Sequence, residues 1–149
     1  MSRGVVLTSL LTLACGATAA DRPGRDRPSQ GPAITEAVLR YEVRQFAGTP
    51  HEAAGELACV GVADTEKVRD PSAELLQRLG PRVKPRSACD AGAALLLVAG
   101  PIEWLNDSEV RVKGSFSHGT SATTRLEYRV VWETGNWKCL GPVIGYDPL

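Results

Sequence analysis

The C-terminal half of the chain contains two stretches in which apolar and charged residues alternate. The apolar side chains occupy even-numbered positions (Val110, Val112 and Phe116, then Leu126, Tyr128, Val130 and Trp132). The charged ones occupy odd-numbered positions (Glu109, Arg111 and Lys113, then Arg125, Glu127, Arg129 and Glu133). A period of two is typical of a strand with one buried face, and turn residues lie at 106–108 and 134–136. The pattern therefore predicts antiparallel strands with one solvent-exposed face.

The buried face of this sheet needs a partner, and the preceding sequence predicts a helix over residues 32–46. Its apolar residues recur at helical spacing, at Ile34, Ala37, Val38, Tyr41 and Phe46. A short second helix is predicted with Asp70 as its N-cap and Pro71 in its first turn. Further strands are predicted at residues 57–63, 83–89, 93–104 and 137–140. The predicted fold class is α+β, an N-terminal helix packed on an antiparallel sheet of four to five strands with a short second helix.

This order of elements resembles the cystatin-like and NTF2-like families, in which a curved antiparallel sheet wraps an N-terminal helix. The segment from Tyr128 to Lys138, YRVVWETGNWK, resembles the closing hairpin of many such domains. The longer run from Ile102 to Lys138 is similar to uncharacterised exported bacterial proteins of that shape. The resemblance implies a fold and no particular activity.

Residues 1–20 have the three parts of a bacterial secretory signal: Arg3, an apolar run over residues 5–14, and small residues after it. As a helix, ten apolar residues span about 15 Å, half the hydrocarbon thickness of a bilayer, so no transmembrane anchor is predicted. Two cleavage sites remain open. The segment before Cys15 resembles a lipobox, which would make Cys15 the lipid-modified first residue and the protein a membrane-anchored lipoprotein. Residues 17–19 alternatively fit ordinary cleavage near positions 19–20, which would leave a soluble periplasmic or secreted protein.

Residues 21–32 are rich in Pro, Gly, Arg and Asp and contain no aliphatic side chain, so they predict a disordered linker or tether. Residues 33–149 then form a single α+β domain. The chain has 17 Lys and Arg against 17 Asp and Glu. This balance argues against nucleic-acid binding, and against membrane binding other than through a lipid at the N-terminus.

The cysteines predict one disulfide. Outside the signal lie Cys59, Cys89 and Cys139. Cys59 and Cys89 both sit at the edges of predicted strands that one short helix separates, and an exported domain retains disulfides, so these two are the predicted pair. Cys139 lies in the last strand and is predicted to be a small buried apolar residue.

The search for chemistry finds no catalytic constellation, metal site or cofactor motif. His51-Glu52 begins like a zinc-binding HExxH helix, but the second histidine position is Gly55. The acids of the two alternating strands are predicted on the solvent face, and Glu36 and Glu42 lie off the main apolar stripe of the helix. The core face is therefore predicted to carry no charge for catalysis.

One candidate ligand pocket remains. His118 shares the even-numbered phase of the core face, so His118, Tyr128 and Trp132 are candidates to line a small pocket at the end of the sheet. The alternative interpretation is that residues 117–121 are simply a polar turn.

The sequence leaves three functional hypotheses. The first is a non-enzymatic exported domain of the cell envelope that binds an envelope protein or a small ligand. The alternative is an NTF2-like ligand carrier or enzyme that uses the pocket of His118, Tyr128 and Trp132. A cystatin-like inhibitor ranks last, because the QxVxG loop of such inhibitors is missing from the sequence.

Overall fold

The computed structural model describes residues 26–50, 55–65, 67–90, 94–119 and 121–143. The predicted signal peptide, the candidate lipidation site Cys15, the cleavage sites, His51 and residues 21–25 of the predicted linker lie outside these ranges.

The chain folds as α+β, as predicted. The helices are α1 (Arg27–Phe46) and α2 (Ala73–Leu79), and a 3-10 turn covers Arg86–Ala88. The strands are β1 (Ala58–Ala63), β2 (Val68–Arg69), β3 (Val83–Pro85), β4 (Leu95–Trp104), β5 (Glu109–His118), β6 (Thr124–Glu133) and β7 (Asn136–Pro142). Within the described ranges, no helix combines the length and the apolar character needed to cross a membrane.

The sheet has seven strands rather than the predicted four to five, in the order β2-β1-β4-β5-β6-β7, with β3 also paired to β1. Strands β4 to β7 form the predicted antiparallel meander. However, β1 pairs in parallel with both β3 and β4. Parallel neighbours require a crossover connection, and the segment containing α2 supplies it. The additional strand β2 has only two residues, too few for an alternation to be read, and the predicted strand over residues 83–89 is shortened to β3 by the 3-10 turn that follows it.

The faces of the meander follow the predicted alternation, except that Glu127, which was predicted to be solvent-exposed, is only 6% exposed. Val110 and Val112 on β5 and Val130 on β6 are fully buried, and Val112 is paired with Tyr128 across the two strands. Helix α1 covers this face through residues that include Ile34, Val38 and Leu39, which are also fully buried. On the opposite face, the predicted charges pair across strands, as in the contact of 2.6 Å between Arg129 Nε and Glu109 Oε1.

Helix α1 begins at Arg27, so residues 27–32 of the predicted linker belong to the helix. Pro28 lies in the first turn, where a missing N–H costs nothing, and Pro32 lies inside the helix. The early start has a tertiary cause. The Arg27 guanidinium lies 5.1 Å from the centre of the Trp104 ring, and Trp137 donates a hydrogen bond to the side chain of Gln30. These contacts bind the first turns to the sheet.

Ser72, not Asp70, is the N-cap of α2, and its Oγ accepts a hydrogen bond of 3.2 Å from the backbone N–H of Leu75. The predicted cap was therefore wrong, and Pro71 precedes the cap rather than lying in the first turn of the helix. Asp70 instead accepts hydrogen bonds from the backbone and side chain of Ser87. Asp70 lies two residues before the cap and binds the segment that follows β3. It therefore fixes the crossover segment rather than the start of α2.

The predicted disulfide between Cys59 and Cys89 is present, with the two Cα atoms 6.3 Å apart. It joins the buried strand β1 to the segment after β3, across 30 residues of sequence. In the chain-entropy model, a loop of this length stabilises the fold by about 3–4 kcal/mol. Cys139 is a free, buried cysteine, as predicted.

Candidate ligand-binding site

A cavity of about 400 Å³ lies between the C-terminal end of α1 and the sheet. Its wall is formed by residues of α1 and four strands. They are Tyr41, Glu42, Gln45, Phe46, Thr49, Leu95, Leu97, Phe116, His118, Leu126, Tyr128 and Pro142. Most of these side chains are aliphatic or aromatic, and the volume lies within the range of about 300–1,000 Å³ that is typical of small-molecule sites.

Glu42 is an acidic side chain in this wall, and it is only 4% exposed. The hydroxyl of Tyr128 donates a hydrogen bond of 3.0 Å to its Oε1 atom. The other oxygen, Oε2, is buried and has no hydrogen-bond partner within the described part of the chain. Burial raises the pKa of Glu42 to about 8, because the apolar surroundings disfavour the carboxylate. The group is therefore a neutral carboxylic acid at neutral pH.

The expectation that the core face carries no charged residue type was wrong at Glu42. The buried positions of α1 include Ile34, Val38, Glu42 and Phe46, which are spaced by four residues. Such positions lie one above the other on a helix face. The predicted stripe contained Ile34, Val38 and Phe46, but between the last two it included Tyr41 rather than Glu42. The signal that identifies Glu42 was present in the sequence, since this acid stands midway between two apolar residues on one face.

Two glycines make room for the tyrosines of the site. A Cβ atom at Gly114 would lie 2.6 Å from the ring of Tyr128, and one at Gly141 would lie 2.9 Å from the hydroxyl of Tyr41. Gly141 also has a φ of +114°, which side chains rarely adopt. The two rings meet edge to face at 5.8 Å between centroids. The glycines of β5 and β7 thus leave the space in which Tyr41 of α1 and Tyr128 of β6 pack against each other.

Two of the three predicted pocket residues line the cavity. His118, the last residue of β5, and Tyr128 are both in its wall. His118 is half-buried, and its Nε2 lies 3.5 Å from Glu56 Oε2. The turn begins directly after it, at Gly119.

Trp132 lies outside this wall. It lies four positions after Tyr128, so the two side chains share a face of β6 but stand about 13 Å apart along the strand. Trp132 packs edge to face on Trp137 at 5.5 Å, and Trp137 packs on Trp104 at 5.6 Å. The same face of the sheet therefore carries two separate clusters.

Comparisons of the chain with protein-family models, curated proteins and solved structures gave no match. The resemblance to the cystatin-like and NTF2-like families stays a prediction. Within the described ranges, no group of three or more His, Cys, Asp or Glu side chains has the arrangement of a metal site. The site is thus an apolar cavity with a neutral acid in its wall, an arrangement that can bind an apolar molecule and direct one hydrogen bond to it.

Proposed function

We propose that this chain is an exported domain that binds a small, largely apolar molecule in the cavity beside Glu42 and does not transform it. The single observation that carries the proposal is that Glu42 lines the cavity while its buried Oε2 atom lacks a hydrogen-bond partner within the described residues. Leaving a buried polar atom unsatisfied costs about 1–3 kcal/mol. A ligand that bonds to Oε2 would recover this free energy.

Binding without catalysis is supported by how Tyr128 is held. Its hydroxyl proton is engaged with Glu42, and burial together with the neighbouring Glu42 raises the pKa of Tyr128 far above its ordinary value. Tyr128 is therefore a fixed donor that orients the carboxyl, not a base that removes a proton from a ligand.

A second candidate function is favoured by one observation. The pKa of Glu42, raised to about 8, lies close to neutral pH, where a general acid works best. An enzyme would use this proton during turnover, whereas a carrier would release its ligand chemically unchanged. Mass analysis of recovered ligands distinguishes the two.

Export is the second part of the proposal. The N-terminal signal features and the Cys59–Cys89 disulfide support it, because disulfides persist in oxidising compartments. We propose either a lipoprotein that begins at lipid-modified Cys15 or a soluble protein that begins near positions 19–20. The intact mass of the mature protein from a bacterial host separates the two forms, and an unprocessed N-terminus would contradict both.

The test of ligand binding uses the neutral apolar dye N-phenyl-1-naphthylamine, whose fluorescence increases in apolar sites. Leu95→Trp places an indole in the cavity wall, and Leu140→Trp makes the same change at an exposed position outside it. We expect the wild type and Leu140→Trp to bind the dye equally, and Leu95→Trp to bind it at least about tenfold more weakly, because the indole occupies the volume that the dye needs.

Circular dichroism confirms that both variants are folded. Equal binding by Leu95→Trp and the wild type would place the dye elsewhere and overturn the proposal, as would the absence of any binding.

A further inference from the structure

We infer that the ligand carries a carbonyl oxygen on an apolar body, and that Glu42 Oε2 donates the hydrogen bond that holds this oxygen. The inference rests on the proposed ligand-binding function and specifies the ligand's chemistry. The two oxygens of the Glu42 carboxyl group differ in their hydrogen bonding. Oε1 accepts the proton of Tyr128, while Oε2 is buried without a partner within the described ranges.

The position of the acid proton follows from this asymmetry. In a neutral carboxylic acid, one oxygen carries the proton and the other is the better acceptor. Because Oε1 accepts from Tyr128, the acid proton resides on Oε2. Oε2 is then a hydrogen-bond donor that has no acceptor within the described residues. A carboxylic acid kept neutral by an apolar site can act in this way.

The rest of the wall selects the body of the ligand. Phe46 and Leu97 are buried, while Phe116 is 38% exposed. These apolar surfaces favour aromatic or aliphatic groups. A cationic amine would require the carboxylate form, which burial disfavours. A neutral ketone or a similar carbonyl compound satisfies Oε2 without creating a buried charge.

Binding should therefore depend on pH, because ionised Glu42 has no proton to donate. The titratable or charged groups in this region are Tyr41 and Arg44 on α1, Tyr128 on β6, Cys139 on β7, and His118 on β5 with Glu56 beside it. Burial raises the pKa of the Cys139 thiol to about 11, and that of Tyr128 is raised further, so both stay neutral across the range in which Glu42 ionises. Arginine stays charged. His118→Gln removes the imidazole from the cavity wall and is the control variant at that position.

The experiment compares three molecules that share a naphthalene body: 2-acetylnaphthalene, 2-ethylnaphthalene and 1-(2-naphthyl)ethylamine. Each displaces N-phenyl-1-naphthylamine from the full mature chain, and the affinity of the dye is measured separately at every pH. At about pH 7 we expect the ketone to bind about tenfold more tightly than the hydrocarbon, as one hydrogen bond provides. Between about pH 7 and pH 9, the affinity for the ketone should fall about tenfold, and that for the hydrocarbon should stay nearly constant.

Two variants of Glu42 complete the test. Glu42→Leu has no donor and should bind ketone and hydrocarbon equally. Glu42→Gln keeps a donor that does not ionise, so its ketone preference should persist and its pH profile should become flat. The wild-type profile should persist in His118→Gln.

Each failure has a distinct meaning. If the dye and all three naphthalenes fail to bind, the proposed function itself is wrong. If ketone and hydrocarbon bind equally to the wild type, the cavity binds ligands but Oε2 does not select a carbonyl, so only this inference falls. Tightest binding of the amine, with affinity that rises with pH, would overturn the inference in favour of a cationic ligand.

Discussion

The two ends of the interface between α1 and the sheet are built differently. At the end that we call the tryptophan end, Trp104, Trp132 and Trp137 pack edge to face, and the indole N–H of Trp137 donates a hydrogen bond of 3.0 Å to Gln30. At the cavity end, Glu42 and Tyr128 border an open volume of about 400 Å³. The tryptophan end is filled by side chains, and its indole N–H has a hydrogen-bond partner. The cavity end has a buried oxygen, Glu42 Oε2, without a hydrogen-bond partner within the described residues.

This difference indicates a division between stability and function. A helix that is bound firmly at one end can tolerate an unfavourable group at the other, because the net stability of a domain is a sum over its parts. Residues that lower stability persist where they serve a site. Glu42 fits that description, since an apolar residue at its place would avoid both the raised pKa and the unsatisfied oxygen.

The largest expected effect is at the tryptophan end. Trp137→Ala removes two aromatic contacts and a hydrogen bond from a nearly buried position, and should lower the free energy of unfolding by about 3–5 kcal/mol. Phe116→Ala, at the partly exposed wall of the cavity, should cost less than about 1 kcal/mol. Urea denaturation followed by circular dichroism measures both. Similar losses for the two variants would remove the contrast between the ends.

The next largest effect is the pH dependence of stability, which should arise at the cavity end. The pKa of Glu42 rises from 4.5 to about 8 on folding, so between these values the folded state binds more protons than the unfolded chain. The free energy of unfolding therefore falls as pH rises through this window. Relative to Glu42→Gln, whose amide does not titrate, the wild type should lose about 3 kcal/mol between about pH 5 and pH 8.

Denaturant unfolding of both proteins across the pH range gives this difference directly, because shared titrations cancel. Parallel curves for the wild type and Glu42→Gln would mean that folding does not raise the pKa of Glu42. Tyr128→Phe removes the hydrogen bond that lowers the pKa of Glu42, so the pKa should rise and the loss of stability should continue to higher pH.

The smallest effect concerns the first turn of α1. Arg27 lies over Trp104 and contacts Asp107 at 3.3 Å, with about half of its side chain exposed (49%). Arg27→Ala should lower the free energy of unfolding by about 0.5–1 kcal/mol, since exposed cation–π and ion-pair contacts are weak. Arg27→Lys keeps the ion pair but loses the planar stacking. Its free energy of unfolding should lie between those of the wild type and Arg27→Ala. Hydrogen exchange of the backbone amides of Gly31, Ala33 and Ile34 reports fraying of the helix. Unchanged exchange in Arg27→Ala would show that the helix start does not depend on this contact.

Much of the fold was predictable because its signals are local. Alternation in β5 and β6 specifies which side chains are buried, since a strand that shifts by one residue exposes its whole apolar set. The Cys59–Cys89 pair followed from the placement of the strands around one short helix. By contrast, the parallel pairing of β1 with β4 depends on how the crossover folds back. No local pattern encodes that choice.

The candidate site was predictable only in part. His118 and Tyr128 were placed on the core face by their phase, and both line the cavity. Trp132 has the same phase but belongs to the tryptophan end, because phase determines the face and not the position along it. Glu42 was missed although it lies four residues from both Val38 and Phe46, because its charged side chain was taken to lie off the apolar stripe.

The sequence by itself determined the α+β class, the faces of the meander and the disulfide, because each depends on residues that are close in the chain or on one periodic pattern. Only the tertiary structure decided that α1 begins at Arg27, that the tryptophans gather at one end, and that Glu42 is buried against Tyr128. These features arise from contacts between residues far apart in sequence, such as the 86 positions between Glu42 and Tyr128. The pKa of an acid depends on its surroundings, so the chemistry of the site exists only once the helix has docked.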